Sequence, residues 1–452
     1  MDQSNTTPGA MTNTAASESV STPALPSIFA PPPHPGEEII SKSRLLEFGQ
    51  SMAILGEELK EIFPERGDLI EQIIHALVTR EHVLIHGDYG TGKSDLVTAL
   101  FSCFTTPGIF SIALNKFMSE SHVIGVPDPK EMREQGRLHY QRDGGILDAE
   151  FVELDEIFDA NAPLLRVLLG ILNERKFKRG RQTEEARLHS AIASTNGDPE
   201  TVLKNAPELG AVIDRFIYIC KVGYLTQADS RRAMYAKFVE DRKPKMRIAF
   251  EDLVAASELA VGRTIKIDAE FLAVYDEVIQ AYKKSQEKTR VVISDRRANK
   301  LLKTVRAAAI LHGRYDVALE DIYAIRWGLC TGNVKAQHEA FMNAARPIIE
   351  KAETARQQSF DDMVKKLLEQ YEASVPVIPA SATDGDLVSL LRQVNGQIKQ
   401  VGEVKPQLAS NQDRKAKLVT RLNTMSKQLN ERINGLGATD GQTSTAPVNA
   451  KT

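Results

Sequence analysis

Short apolar segments alternate with longer amphipathic stretches from about residue 37 to residue 222. The apolar segments have the character of buried strands, because each is short and rich in hydrophobic side chains. They are residues 83–86, 109–114, 151–154, 190–194 and 216–222. Strands that alternate with helices along a chain predict a parallel sheet with helices on its faces. The expected fold class of this part is therefore α/β.

The pattern becomes wholly helical between residues 225 and about 329, and further helices follow. One amphipathic helix is expected at 360–371, ended by the proline-containing stretch 375–379. Apolar residues then recur at steps of three and four over 387–408 and again over 418–433, which predicts two more helices. These two helices form either a hairpin folded onto this chain or a coiled coil that binds a partner.

Composition excludes several classes of protein. The chain has 452 residues, which is too long for one domain, and 42% of them are hydrophobic, which is enough for a sizeable core. No stretch is long and apolar enough to span a membrane, and the N-terminal residues lack the pattern of a secretory signal. The three cysteines are far apart and have no metal-binding spacing. A cytoplasmic protein is expected.

A glycine-rich loop follows the first predicted strand and precedes a helical stretch. It reads Gly87-Asp88-Tyr89-Gly90-Thr91-Gly92-Lys93-Ser94. This sequence matches the phosphate-binding loop G-x-x-x-x-G-K-[ST] in full, in the strand–loop–helix context that the loop needs. Glycines let backbone N–H groups converge on phosphate oxygens, and the helix N-terminus adds partial positive charge. We expect Lys93 to contact the terminal phosphates of a nucleoside triphosphate and Ser94 to bind Mg²⁺.

An acidic pair, Asp155-Glu156, ends the third predicted strand. Beside a phosphate loop, the Asp is expected to hold Mg²⁺ and the Glu to polarise the attacking water. Glu153 is an anomaly, because a charge inside a central strand is costly unless it is paired. Asn196 follows the fourth strand, and the carboxyl ends of parallel strands share one edge of a sheet. Asn196 is therefore expected beside the γ-phosphate, where it would orient the water.

Several arginines are candidates for contacts with anions. Arg215 precedes the last strand, where it could complete the site of a neighbouring subunit or be a plain surface residue. Arg296 and Arg297 fall in the first turn of a helix that Ser294 is expected to cap. Cations there oppose the helix dipole, which indicates either an anionic partner or two ordinary surface residues. The basic stretch 175–181 could contact a polypeptide or a nucleic-acid backbone.

Together these motifs resemble the AAA+ ATPases, and more narrowly the MoxR family in its branch related to the regulatory ATPase RavA. The resemblance covers roughly residues 45–335. Its most specific part is the stretch 151–161, in which an Ala-Asn step follows the acidic pair, and then Leu168-Leu169-Gly170-Ile171-Leu172-Asn173-Glu174-Arg175. The stretch Ser294-Asp295-Arg296-Arg297 also resembles this branch.

The resemblance implies an AAA+ αβα core with strand order 5-1-4-3-2, an all-α lid, and ATP and Mg²⁺ as ligands. The roles it implies are Walker A for Lys93 and Ser94, Walker B for Asp155 and Glu156, sensor 1 for Asn196, the arginine finger for Arg215, and sensor 2 for Arg296 with Arg297 as its near neighbour. It also places the chain in the helix-2-insert clade. The β-hairpin insert of that clade would lie within residues 117–147, with arms at 136–140 and 144–147.

The motifs and composition together predict six segments along the chain. They are a disordered leader at 1–36, an AAA+ nucleotide-binding core at 37–224, a helical lid at 225–335, a helical extension at 336–374, a helical hairpin or coiled coil at 384–436 and a disordered tail at 437–452.

By this resemblance the protein is an ATP-hydrolysing hexameric ring that remodels a client protein, with a partner that contains a von Willebrand factor A domain. The alternative is a motor that acts on nucleic acid, because relatives in the same clade load on DNA. A net charge of −3 and the scarcity of basic runs argue against a nucleic-acid partner. A scaffold that binds ATP without hydrolysis is disfavoured, because Lys93, Asp155 and Glu156 are all present.

Overall fold

A computed structural model describes residues 40–135, 140, 142–179, 182–262, 264–286, 293–331 and 334–437. These residues form two compact units. The first unit consists of the described residues of Met1–Ile265, Lys300–Asp316 and Trp327–Gly332, and the second of those of Lys266–Asn299, Val317–Arg326 and Asn333–Thr452. The predicted leader and nearly all of the predicted tail lie outside the described residues. The domain limits expected from the sequence remain a prediction.

Within the described residues the strands all end by Ala249, and the elements after it are helices. The strands are β1 (His82–Gly87), β2 (Phe104–Thr105), β3 (Ile109–Ala113), β4 (Phe151–Asp155), β5 (Lys176–Arg179), β6 (Gln182–Glu185), β7 (Ser190–Thr195), β8 (Phe216–Val222) and β9 (Ile248–Ala249). The helices are α1 (Lys42–Ile62), α2 (Gly67–Thr79), α3 (Lys93–Phe101), α4 (Ser121–Ile124), α5 (Pro129–Gln135), α6 (Ala162–Glu174), α7 (Pro199–Asn205), α8 (Gly210–Ile213), α9 (Ala228–Glu240), α10 (Phe250–Val261), α11 (Ala269–Ser285), α12 (Asp295–Leu311), α13 (Arg326–Leu329), α14 (Val334–Ala373), α15 (Asp384–Glu403) and α16 (Ala409–Gly437).

A five-stranded parallel sheet forms the centre of the first unit, in the order β3-β4-β7-β1-β8. When only these five strands are numbered along the chain, the order read from the β8 edge is 5-1-4-3-2. Val83 in the middle of the sheet lies beside Ile192 on one side and Tyr218 on the other. The strands β1, β4 and β7 are buried almost throughout, as expected of a sheet covered on both faces. The predicted α/β fold class and strand order are confirmed.

The hydrogen bonds of Asn161 explain why an asparagine stands in the Ala-Asn step that follows the acidic pair. Its Oδ1 accepts a hydrogen bond from Leu164 N at 3.0 Å and so caps α6. Its Nδ2 donates to the carbonyl oxygens of Lys116 at 3.1 Å and Met118 at 2.7 Å. One side chain therefore both caps a helix, which is worth about 1 kcal/mol, and fixes the loop after β3 to the segment that follows the acidic pair. Phe117 lies between the two held carbonyls and is 96% exposed.

Two short strand pairs depart from the sequence expectations. β5 and β6 form an antiparallel hairpin, and β2 pairs with β9, which interrupts the wholly helical pattern expected after residue 225. The hairpin was missed because its strands are mostly polar, and only Phe177 gives β5 a clear apolar position.

The expected insert hairpin is wrong in one arm. Residues 144–147 form turns rather than a strand, with Gly145 N donating to Arg142 O at 2.9 Å. Ile146 and Leu147 are fully buried, so their apolar character reflects packing in the core. Of the other arm, residues 136–139 lie outside the described residues, and Tyr140 forms an isolated antiparallel bridge with Pro127.

The second unit contains a bundle of long helices. α14 is 40 residues long, so the helix expected at 360–371 is the end of a longer one. α15 and α16 run antiparallel and share one apolar cluster with α14, which includes Leu368, Val394 and Leu422. Arg414 of α16 also binds Glu372 of α14 through two hydrogen bonds, at 2.9 and 3.0 Å. Of the two arrangements that the sequence left open, the hairpin is thus packed on its own chain.

Candidate active site

The phosphate loop leaves β1 at a point where only glycine fits. Gly87 has a φ of 149°, and a Cβ there would lie 1.8 Å from the carbonyl oxygen of Val222 in β8. Gly92, with a φ of 73°, is the N-cap residue of α3. Both angles lie in the region that L-residues disfavour, so the chain needs glycine to pass from strand to helix here. Lys93 and Ser94 then open α3 at the carboxyl edge of the sheet.

Lys93 is held at the mouth of the phosphate loop. Its Nζ donates to the carbonyl oxygens of Gly87 at 2.7 Å and Asp88 at 3.1 Å, and to Asn196 Oδ1 at 3.0 Å. Burial lowers the pKa of Lys93, while the nearby charge of Glu156 acts in the opposite direction. The sequence placed Lys93 and Asn196 in one site from motifs 103 residues apart, and the structure brings the two side chains together.

The acidic pair meets the same cluster. Asp155 is the last residue of β4 and accepts a hydrogen bond from Ser194 Oγ. Glu156 lies in the left-handed backbone region, with a φ of 53° and a ψ of 49°, and its carboxylate accepts hydrogen bonds from Asn196 N at 3.3 Å and from Asn196 Nδ2. Burial raises the pKa of Glu156, and the charge of Asp155 adds to the effect, while the Asn196 hydrogen bond opposes it. Such a group is a stronger base than an exposed glutamate.

Glu153, the charged residue that was unexpected inside a central strand, has a hydrogen-bond partner in the sheet. It lies on the same face of β4 as Asp155, because side chains two positions apart in a strand point the same way. Its Oε2 accepts a hydrogen bond from Ser111 Oγ of β3 at 2.8 Å. Burial raises the pKa of Glu153 and the Ser111 hydrogen bond lowers it. The carboxyl group is therefore accommodated in the sheet by a neighbouring hydroxyl.

A cavity of about 580 Å³ joins these groups to an apolar wall. At its polar end it is lined by the loop residues from Tyr89 to Asp95 together with Asp155, Glu156 and Asn196. The opposite end is lined by Ile62, Phe63, Pro64, Arg66, Tyr224, Leu225, Arg231, Met234 and Lys237. Lys237 Nζ lies 3.6 Å from the centre of the Phe63 ring. The volume and the combination of polar, cationic and apolar lining residues suit a nucleotide.

The sequence did not point to the residues of this apolar end. They come from the end of α1 and the loop after it, and from the segment after β8 together with α9, which follows more than 150 residues later. None belongs to a phosphate-binding or hydrolytic motif. The only signal available was the position of 224–225 directly after the last strand, at the carboxyl edge where such sites form.

The donor atoms in the cavity fit Mg²⁺. Ser94 and Asp155, the two expected ligands, both line it and offer a hydroxyl and a carboxylate oxygen, which are the ligand types that Mg²⁺ prefers. No group of three or more His, Cys, Asp or Glu side chains suited to a metal occurs within the described residues.

The candidate arginines occupy different positions. Arg215 precedes β8, at the end of that strand away from the cavity; its side chain is 20% exposed and lies 3.3 Å from Asp214. Arg296 belongs to the second unit, in the first turn of α12. The expected Ser294 cap of that helix is present, since Arg297 N donates to Ser294 Oγ at 3.1 Å. The roles of Arg215 and Arg296 remain predictions.

The basic stretch 175–181 is largely neutralised where it is described. Arg175 is half-buried and donates to the carbonyl oxygens of Arg80 and Leu188, at 2.5 and 3.0 Å. The cations of β5 pair with nearby carboxylates: Lys176 with Glu185, Lys178 with Glu174 and Arg179 with Glu120. A stretch whose charges are paired in this way offers less attraction to a nucleic-acid backbone than its sequence indicates. Among the helices in the described part of the chain, none has the length and apolar character needed to cross a bilayer.

Models of two known families match parts of this chain. A model described as the MoxR domain in the MoxR–vWA–beta-propeller ternary systems matches residues 50–258, which contain the sheet and the cavity. A model described as an AAA lid domain matches residues 273–339.

Individual proteins are also similar to this chain. Two uncharacterized proteins of Methanocaldococcus jannaschii are each 30% identical over 270 residues, which is 60% of this chain and 67% and 69% of theirs. The chaperone MoxR1 of Mycobacterium tuberculosis is 23% identical over 59% of this chain and 71% of its own. The crystal structure of a candidate ATPase from Cytophaga hutchinsonii superposes with a TM-score of 0.50 at 18% identity, over 69% of this chain and 96% of that one, which supports the fold alone.

Proposed function

Because this chain belongs to the MoxR family of AAA+ proteins, we propose that it is an ATPase whose active site is the cavity at the carboxyl edge of the sheet. One observation carries the proposal: Lys93, Glu156 and Asn196 meet in a single hydrogen-bonded cluster. A cation for the phosphates, a base and an amide that orients water are the groups that phosphoryl transfer to water requires.

In this proposal each residue has one task. Lys93 and the backbone N–H groups of residues 87–92 bind the β- and γ-phosphates. Ser94 and Asp155 would hold Mg²⁺, which supplies positive charge against the charge that develops on the phosphate oxygens. Glu156 polarises the attacking water, and its raised pKa makes it a stronger acceptor for the proton. Asn196 contacts both Lys93 and Glu156, so it fixes the distance between the phosphate site and the base.

We further propose a homohexameric ring in which each active site is completed by a neighbour. Arg215 would serve as the arginine finger and Arg296 as sensor 2, in agreement with the sequence motifs. The position of Arg215 outside the cavity of its own chain is consistent with a contact to another subunit. A guanidinium that reaches the phosphates only after assembly would couple hydrolysis to ring formation.

The proposed biological role is chaperone-like remodelling or maturation of a client protein in the cytoplasm. The description of the matching model, which names MoxR–vWA–beta-propeller systems, supports a partner with a von Willebrand factor A domain. The MoxR1 relative is described as a chaperone, which agrees with this role. Membership of the RavA-like branch and of the helix-2-insert clade remains part of the proposal.

Phosphate release and nucleotide binding test the proposal directly. With ATP and Mg²⁺ the wild-type protein should release phosphate, and Lys93→Ala should lose both binding and turnover because the main phosphate cation is gone. Lys130→Ala, at an exposed lysine of α5, is the matched control and should behave as wild type. A folded wild-type protein that neither binds nor hydrolyses ATP would refute the assignment. Strong stimulation by DNA that declines with salt would replace the chaperone role with a nucleic-acid motor.

A further inference from the structure

Helix α9 carries one wall of the cavity but has little apolar packing to hold it. Arg231, Met234 and Lys237 line the cavity from positions three residues apart, hence from one face of the helix. Ser230 is the only buried residue of α9, while Phe238 and Val239 are 90% and 83% exposed. Burial of apolar surface therefore contributes little to the position of this helix. The position of α9 must therefore depend mostly on polar contacts.

Two consecutive residues of the loop after α1 provide such contacts. Glu65 accepts hydrogen bonds from Thr226 N at 3.0 Å, Gln227 N at 2.9 Å and Thr226 Oγ1 at 2.9 Å, at the start of α9. These backbone hydrogen bonds lower the pKa of Glu65 to about 2, so the side chain is ionised at neutral pH. A carboxylate beside the first N–H groups of a helix also stabilises its dipole.

The side chain of Arg66 contacts the phosphate loop and the residue after β8 instead of α9. Its Nη2 donates to the carbonyl oxygens of Gly223 at 2.8 Å and Thr91 at 3.2 Å. Thr91 belongs to the phosphate loop, and Gly223 follows the last residue of β8. One nitrogen of the guanidinium thus binds two carbonyl oxygens, and Arg66 also lines the cavity. The dipeptide thus contacts α9 through one side chain and the phosphate loop through the next.

The backbone conformation of Glu65 also indicates that its contacts are specific. Its φ of 58° lies in the left-handed region, which a glutamate adopts only when its surroundings hold it there. This turn allows the side chains of Glu65 and Arg66 to make their separate sets of contacts.

We propose that Glu65 and Arg66 are positioning residues that hold the α9 wall against the phosphate loop and so set the affinity of the site for nucleotide. This inference rests on the proposed function, because it assumes that nucleotide binds in this cavity. It assigns to the dipeptide no contact with the reacting atoms. Loss of the contacts should therefore weaken nucleotide binding more than it slows the chemical step.

Glu65→Ala is the principal variant, and Glu58→Ala is a matched control. Glu58 also accepts two backbone hydrogen bonds, from Lys245 N at 2.8 Å and Met246 N at 2.9 Å, but it does not line the cavity. Fluorescent ADP reports binding, and phosphate release reports kcat and KM. We expect Glu65→Ala to raise the dissociation constant for ADP and the KM for ATP about tenfold and to change kcat less than about threefold, because charge-assisted hydrogen bonds are lost. Glu58→Ala should leave all three values near wild type.

Hydrogen exchange and two further variants separate the positioning role from a general loss of structure. Amide hydrogen exchange at residues 226–231 should become faster in Glu65→Ala without any nucleotide present. Glu65→Gln, which keeps an acceptor, should restore part of the affinity, and Arg66→Ala, which loses both hydrogen bonds to carbonyl oxygens, should weaken ADP binding severalfold. Equal weakening in Glu65→Ala and Glu58→Ala, or wild-type affinity in Glu65→Ala, would overturn the positioning role alone. A wild-type protein that binds no ADP or ATP would instead overturn the proposed function.

Discussion

Single residues carry unusual conformations at both ends of the cavity. Glu156 and Glu65 have φ angles of 53° and 58°, a region that costs a non-glycine residue about 1 kcal/mol or more. Each conformation is matched by hydrogen bonds to the side chain, from Asn196 in one case and from Thr226 and Gln227 in the other. Strain of this kind is typical of functional sites, where it aims a side chain at its target.

The same reasoning predicts the effect of replacing Gly87. In Gly87→Ala the new Cβ would lie 1.8 Å from Val222 O, and the alanine would have to adopt a φ of 149°. Either β8 or the phosphate loop must therefore move. We expect the protein to lose at least about 2 kcal/mol of stability and most of its nucleotide binding. Thermal unfolding and ADP binding measure both effects. Gly67→Ala, where a Cβ meets nothing within 4 Å, is the control and should stay within about 1 kcal/mol of wild type.

The sequence was informative about residues that a motif and a strand end locate together. Lys93, Asp155 and Asn196 were placed in one site because each follows a predicted strand of a parallel sheet. Phe63 and Met234 could not be found in this way, because they are ordinary apolar residues whose roles depend on the packing of distant segments. Arg66 was missed for the same reason, since its partners are backbone carbonyls that no sequence motif marks.

At the level of elements, a buried ion pair joins the turn before β1 to α12. The Glu81 side chain is 6% exposed and lies 2.7 Å from Lys300 Nζ and 2.8 Å from Lys303 Nζ. Burial raises the pKa of Glu81, but the two lysines outweigh it and lower the pKa to about 2. Because the folded-state pKa is below the ordinary value of 4.5, the stabilisation is fully present above pH 4.5 and is lost as the pH falls towards 2.

Glu81→Gln should therefore change the pH dependence of stability. We expect a loss of about 2 kcal/mol at pH 7, because breaking a buried pair is costly and both lysines retain some exposure. The variant should also lose less stability than wild type between about pH 5 and pH 3. Fluorescence of the single tryptophan, Trp327, follows urea unfolding of the first unit. Glu57→Gln, at an exposed pair with Lys60, is the control; an unchanged pH slope in Glu81→Gln would show that the pair does not act this way.

Elements were predictable where one periodicity dominated. The five central strands are short and largely apolar, and the helices of the second unit have clear apolar stripes. The hairpin arm expected at residues 144–147 came from the family resemblance rather than from a periodicity of this chain, and the structure has turns there. The polar β5–β6 hairpin had no such signature and was missed.

At the level of the whole molecule, the proposed ring makes a specific prediction about mixing. Arg215→Ala and Glu156→Gln chains should each be inactive alone, because one lacks the finger and the other lacks the base. In mixed rings, some interfaces combine an intact Arg215 from one chain with an intact Glu156 from the other. Mixing should therefore restore part of the ATPase rate, measured as phosphate release.

The control for the mixing experiment is Arg242→Ala, at a surface arginine paired with Glu240, which should be active by itself. If Arg215 acted only within its own chain, mixing the two inactive variants would restore no activity. Size-exclusion chromatography with light scattering on the same samples would establish whether mixed rings had formed.

The central claim is that Glu156 activates water against a nucleotide bound in the cavity. Single-turnover phosphate release from ATP bound to Glu156→Gln tests it most directly, with Asp159→Asn, a nearby acid outside the cavity, as the control. We expect the Glu156→Gln variant to bind ATP within about threefold of wild type and to release phosphate at least about 100-fold more slowly, because it lacks the general base. If the Glu156→Gln variant released phosphate from bound ATP at the wild-type rate, the result would contradict the account.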